Sequence, residues 1–150
     1  MTKPMTLKAD EMFCHAVYTA SHVINRAYAP MLAELGLTYP QYITLTLLRD
    51  KDDQAVGALA SALRMDSSTL TPLLKRLETQ GNVVRRRGTR DERQVFVRLT
   101  PKGRRLLTKA PDITACMIDG TGLEIAELEN LVALLGALSS NLAEAQTDKP

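Results

Sequence analysis

DSSTLTPLLKRLETQGNVVRRRGTRDERQVFVRLT, residues 66–100, is the stretch that decides how this chain is read. Asp66, Ser67 and Ser68 carry short polar side chains suited to the unpaired N–H groups of a first helical turn, so a helix opens here and runs to about Gln80. Pro72 has no backbone donor, which predicts either a late helix start or a local bend. Gly81 ends the helix. Val83–Arg87 and Gln94–Leu99 then alternate apolar and polar residues, with Val95, Val97 and Leu99 on one face and Gln94, Phe96 and Arg98 on the other. With GTRDE between them, these two runs predict a β-hairpin with a mobile tip.

Charge is concentrated in the same place. Residues 75–105 hold 11 Lys+Arg and 3 Asp+Glu, a local charge of +8, in a chain whose total is +2. The remainder, with 8 basic against 14 acidic residues, is therefore −6. A contiguous basic region beside a helix that opens on small hydrogen-bonding residues suits a phosphate backbone.

Upstream, a short helix is expected over about Ala55 to Leu63, then a turn at Arg64-Met65-Asp66. Two helices joined by a tight turn and followed by a hairpin make a winged helix-turn-helix, whose second helix can enter the major groove. Ser67, Ser68, Thr69 and Thr71 offer short donors and acceptors there, with Asp66 and Pro72 beside them. Lys75 and Arg76 fit backbone contacts one to two turns on. The helix N-terminus adds its dipole and N–H groups. On the hairpin, Arg85, Arg86, Arg87, Arg90 and Arg93 are candidate DNA ligands, and an arginine at the tip suits a narrow A·T-rich minor groove. Charge alone would describe a solvated face, and serines alone would describe caps. Their coincidence with the helix-turn-helix and hairpin order favours DNA binding.

Flanking segments complete a mainly α domain over 1–150, with the winged core at about 38–100 and helical arms at about 8–35 and 101–146. Residues 1–8 read as frayed. From Lys8 to Leu35, Phe13, Ala16, Val17, Ala20, Ile24, Ala27 and Met31 form one apolar stripe, with Pro30 able to bend or divide the helix and Gly36 to stop it. Thr38-Tyr39-Pro40 starts a helix to about Arg49, and DKDD follows as a polar loop. Thr100-Pro101 opens another helix, which Pro111 interrupts. On the last, about Leu123 to Ala145, Leu128, Leu131, Leu135, Leu138 and Leu142 form a coiled-coil-like seam that points to packing against a partner chain as well as the chain's own core.

Composition sets outer bounds. The chain is 45% hydrophobic and 24% charged, ordinary for a globular protein. With no apolar run of membrane length and no signal-peptide pattern, a cytoplasmic, non-membrane protein is expected. Its two cysteines, Cys14 and Cys116, lack CxxC spacing, so each is either a buried hydrophobe or a redox group. Cys14, Tyr18, Ser21, Asn25 and Tyr28 step by 4, 3, 4 and 3 and share a helix face, and hydroxyl donors can stabilise a thiolate. His15 and His22 beside Cys14 lack a further ligand at metal-site spacing, so no metal and no cofactor are expected.

LGLTYPQY, TLTPLLKRLETQG, VVRRR and RDERQVFVRLTPKG together resemble the MarR family of winged-helix repressors, over nearly the whole chain. The resemblance implies a homodimer with interleaved terminal helices on a palindromic operator. It also implies a wing motif at Asp91-Glu92-Arg93, in which Asp91 braces the wing and Arg93 reaches the minor groove. Arg64-Met65 stands where relatives commonly have Tyr-Leu, and Ser68 where Gly is frequent. FCHAVYTAS, RAYAPML and GLTYPQY narrow the resemblance to the organic-hydroperoxide sensors of that family. That group implies Cys14 as sensor, with Tyr18, Tyr28 and Tyr39 around its sulfur and some of these from the partner subunit. Cys116, in ITACMIDGTGL, matches the members with a second cysteine, which implies a resolving thiol that forms an intersubunit disulfide and lowers operator affinity. The alternative within the fold is a repressor released by a small apolar or phenolic ligand. A thiol peroxidase or a constitutive architectural DNA binder finds less support, so no enzyme is expected.

Overall fold

The structure, a computed structural model, describes residues 6–147. It divides into two compact units, one reaching to Ile113 and one from Thr114 onward. The expectation of fraying at residues 1–8 falls mostly on residues outside the described range.

In the first unit, a 3-10 turn at Ala9–Glu11 leads into α1, Phe13–Ala33. The expected helix from Lys8 is thus divided at Met12, and Pro30 neither ends nor splits α1. At its end Gly36 takes φ +67, a left-handed value glycine adopts without a Cβ penalty, while Leu37 N donates to Leu32 O. Thr38 then caps α2, Tyr39–Asp50, in a reciprocal capping box: its hydroxyl accepts from Gln41 N and Gln41 Oε1 accepts from Thr38 N. Gln54–Ala55 forms β1, a strand absent from the sequence reading, and α3 follows over Val56–Leu63.

Arg64, at φ +53, turns the chain toward α4, Ser67–Thr79. The helix opens at the expected residue and continues through Pro72, so the late start does not occur. Pro72 leaves the Ser68 carbonyl without an i+4 donor, one turn from the exposed helix start. Leu70, Leu74 and Leu77, at i, i+4, i+7, are fully buried. Each contributes about 1.5–3 kcal/mol by leaving water. Gly81, at φ +77, closes the helix.

The hairpin consists of β2, Val83–Arg87, and β3, Val95–Leu99, paired antiparallel with Val83 opposite Leu99 and Arg87 opposite Val95. Strand order is β1-β3-β2, so β2 is an edge strand. Val97 and Leu99 face the core, which also takes Leu32, Leu45, Leu48, Leu59 and Val83. Thr100 caps α5, Pro101–Leu106, its hydroxyl accepting from Gly103 N. After a 3-10 turn at Leu107–Lys109, α6 runs over Ala110–Thr121. The helix opened by Thr100 is thus interrupted just ahead of Pro111, as expected, and Pro111 sits in the first turn of the new helix, where a missing N–H costs nothing.

In the second unit, α7 spans Ile125–Thr147. Its leucine seam is not buried: Leu131, Leu135 and Leu142 are exposed, with Leu128 and Leu138 only partly covered. The α1 stripe is similarly open, with Phe13 61% and Ile24 44% exposed. No helix among the described residues is long and apolar enough to cross a membrane.

Candidate nucleic-acid interface and thiol-bearing helix

Residues Asp66, Ser67, Ser68 and Thr69 stand exposed at the start of α4, with Pro72, Lys75 and Arg76 exposed farther along it. Asp66 occupies the N-cap with extended backbone, and its carboxylate makes no cap hydrogen bond. Thr71 is half-buried, its hydroxyl donating to Ser67 O at 2.7 Å. Ser67, Thr71 and Leu74 form one wall of a cleft of about 480 Å³, with Ala55–Ala58 and the hairpin residues Arg85, Arg93, Gln94 and Val95 opposite. Helix start and hairpin thus face a common concavity.

The wing arginines divide into two groups. Arg85 is held by Glu78 of α4: Oε2 accepts from Nε at 2.9 Å and Nη2 at 2.8 Å, and Oε1 accepts from the Arg85 main-chain N at 3.1 Å. Hydrogen bonding from the Arg85 side chain, chief among the causes, holds the Glu78 carboxyl below the usual range. Arg86 pairs with Asp53 at 2.6 Å and lies 4.8 Å over the Phe96 ring. Arg87, Arg90 and Arg93 are exposed and, among the described residues, have no carboxylate partner. At the tip, Gly88 N donates to Gln94 O, Gln94 N to Asp91 O, and Arg93 N to Asp91 Oδ1.

The sequence reading missed three carboxylates. Glu78, Asp52 and Asp53 all anchor the wing, and Asp52 accepts from Leu99 N at 2.9 Å while pairing with Arg104. Glu78 and Asp52 substitute for neighbouring strands, taking main-chain donors that the sheet leaves unpaired. An acid near the end of an otherwise basic helix, and the acids of DKDD, were the available signal.

Cys14 lies in the first turn of α1, exposed. Tyr18, one turn on, is 65% exposed and packs edge-on against His22 at 4.5 Å. Tyr28 and Tyr39 are elsewhere: their rings lie 4.8 Å apart, and Tyr42 completes a cluster at 6.0 and 6.5 Å. Burial, then the neighbouring phenols, pushes Tyr28 and Tyr39 upward, so both remain O–H donors. At 1.5 Å per residue, the fourteen positions from Cys14 to Tyr28 span about 21 Å. A shared helix face is therefore not a shared pocket, and one chain does not bring Tyr28 or Tyr39 to its own Cys14 sulfur. Cys116 is exposed on α6, in the second unit.

Among known proteins, the family of transcriptional regulators SarA/Rot matches residues 26–110. The HTH-type transcriptional regulator TtmR of Methylorubrum extorquens is 43% identical over 133 residues, covering 89% of this chain and 68% of its own length. The organic hydroperoxide resistance transcriptional regulator of Bacillus subtilis is 39% identical over 132 residues, 88% of either chain. Reduced AbfR bound to DNA superposes with TM-score 0.70 at 29% identity, covering 87% of this chain and 91% of AbfR.

Proposed function

We propose that this chain, which belongs to the MarR/SarA family of winged-helix transcriptional regulators, is a repressor switched off by organic hydroperoxides through Cys14. The observation that carries this reading is the placement of Cys14. It is exposed on a helix whose apolar stripe is also exposed, about 21 Å along the axis from the Tyr28–Tyr39 pair. An apolar stripe left open on α1, and another on α7, supports a homodimer built from both helices. In such a dimer the partner's phenols come to a sulfur that its own chain's do not reach. Phenol donors stabilise the thiolate, and apolar surroundings favour alkyl over hydrogen peroxide.

The chemistry balances without a cofactor. The Cys14 thiolate attacks the terminal oxygen of ROOH, the O–O bond breaks, and the alkoxide leaves as ROH after taking a proton, giving a sulfenic acid. The Cys116 thiolate of the partner subunit then attacks that sulfur, hydroxide leaves as water after protonation, and a disulfide forms. A disulfide requires Cα atoms within about 7 Å. The helix movement needed would take the paired α4 helices off the ~34 Å repeat of successive major grooves. The DNA partner is a palindromic, A·T-rich operator, and the working compartment is the cytoplasm. The relative named for organic hydroperoxide resistance supports the choice of effector.

The test is operator binding by the purified protein, reduced and then treated with cumene hydroperoxide, beside non-reducing electrophoresis. Wild type should lose binding, form a linked dimer and regain both states with dithiothreitol. Cys14→Ser should bind and ignore peroxide, and Cys116→Ser should form no linked dimer. Binding that persists with Cys14 demonstrably oxidised overturns the redox switch and leaves a repressor released by a small apolar ligand.

A further inference from the structure

Three arginines follow one another on β2, and simple charge counting makes each a phosphate ligand. The geometry separates the first from the others. Arg85 is half-buried, and both faces of its interaction capacity are committed: two guanidinium N–H groups and the main-chain N–H all go to the Glu78 carboxylate. The main-chain bond matters because β2 is the sheet edge, so the outward N–H of Arg85 has no strand to pair with. Glu78 supplies that missing acceptor from the penultimate residue of α4. One carboxylate thus ties the far end of the recognition helix to the middle of the wing's outer strand.

We infer that Glu78 and Arg85 are positioning residues for operator binding, fixing the wing against α4, and that Arg85 is not a phosphate ligand. The leverage is large. Ser67 lies eleven residues from Glu78, about 16 Å along the helix, so a 10° change about the brace displaces the helix start by about 3 Å relative to the wing. Productive contacts tolerate roughly 0.5 Å. Helix and wing enter different grooves of one duplex, so only their fixed relation allows both to engage at once. Leaving the carboxylate for a phosphate would also strand Glu78 among DNA anions.

The experiment uses the full-length protein and an operator selected by it from random DNA, with affinity measured across a salt series. Glu78→Gln and Arg85→Met should each weaken binding by about tenfold, the scale of one lost base contact. Neither should change the slope of log affinity against log salt, and the double variant should be no weaker than either single. A salt slope reduced by about 0.9 in Arg85→Met marks a phosphate contact and overturns the proposal. Full affinity in Glu78→Gln, or additive losses in the double variant, does the same. Arg85→Lys guards against misfolding: it keeps the charge a phosphate needs but loses the two-pronged grip, so it should bind as weakly as Arg85→Met. Normal binding by Arg85→Lys refutes the brace. All of these readings concern the reduced protein, so they stand or fall independently of the peroxide response.

Discussion

Replacing Gly88 with alanine should impair operator binding while leaving the fold almost untouched. Gly88 does not have a positive φ, so backbone strain is not the reason. An ideal Cβ on it would lie 2.5 Å from the Asp91 carbonyl oxygen and 3.3 Å from Phe96 Cε2. Comfortable separation is about 3.5 Å, so the Asp91 carbonyl must retreat by about 1 Å. That carbonyl accepts the Gln94 N–H at 3.1 Å, a bond worth about 1 kcal/mol that the retreat would break. Gly88 itself is buried, but the loop that must move, residues 89–94, is exposed and can take up the shift locally, so the unfolding midpoint should fall by less than about 4 °C. The displacement nonetheless exceeds what a groove contact tolerates, and it moves the segment 90–93, whose Arg90 and Arg93 are the proposed groove contacts. Loss of one such contact is worth roughly 1–3 kcal/mol, a weakening of roughly 5- to 150-fold. Fluorescence anisotropy on the selected operator, paired with a thermal melt, separates the two effects. Unchanged affinity, or a loss that simply tracks a large drop in stability, would refute the reasoning.

Gly103→Ala makes the opposite case. Its Cβ would meet the Asn82 carbonyl oxygen at 2.2 Å, in a packed position where that oxygen also accepts from Thr100 N. A helical glycine replaced by alanine ordinarily gains up to about 1 kcal/mol; here overpacking of roughly 1–3 kcal/mol and the lost bond of about 1 kcal/mol should outweigh it. Urea unfolding should show net destabilisation, and a stabilised variant would show the close approach to be harmless. Tyr28 and Tyr39 have folded-state pKa values raised above the unfolded one. Their contribution is therefore complete below about pH 10 and is lost as pH rises through the folded values. Tyr28→Phe should flatten the decline of stability above about pH 10, and an unchanged alkaline profile would refute the assignment.

Local chemistry was legible in the sequence, and long-range pairing was not. Thr38 with Pro40 and Thr100 with Pro101 signal helix starts through residues next to one another, and both caps form. The two wing strands follow from alternation and fall within one residue of expectation. By contrast, Gln54–Ala55 is a strand only because Val97 and Phe96 lie opposite it, some forty residues away. Nothing in the DKDD segment announces that. The late start suggested by Pro72 does not occur because propensity weighs a lost donor without weighing the three leucines that bury α4. For the candidate site, helical spacing gave the shared face of Cys14 and Tyr28 but not their axial separation. Charge counting could not show which arginines already have carboxylate partners within the chain.

The carboxylates that close the sheet also bear on how copies of this chain meet. A protein that leaves apolar helices open on α1 and α7 invites association. An unpaired strand edge would offer a second, unspecific route, since any extended chain can add to it. Here Glu78 takes the Arg85 main-chain donor on the outer strand, and Asp52 takes that of Leu99 on the other side. Arg87, without a carboxylate partner among the described residues, adds like charge along the same border, so two wings approaching edge to edge would repel. Edge-to-edge strand pairing, a common start of aggregation, is thereby disfavoured, and the helices are left as the open route by which one copy can find another.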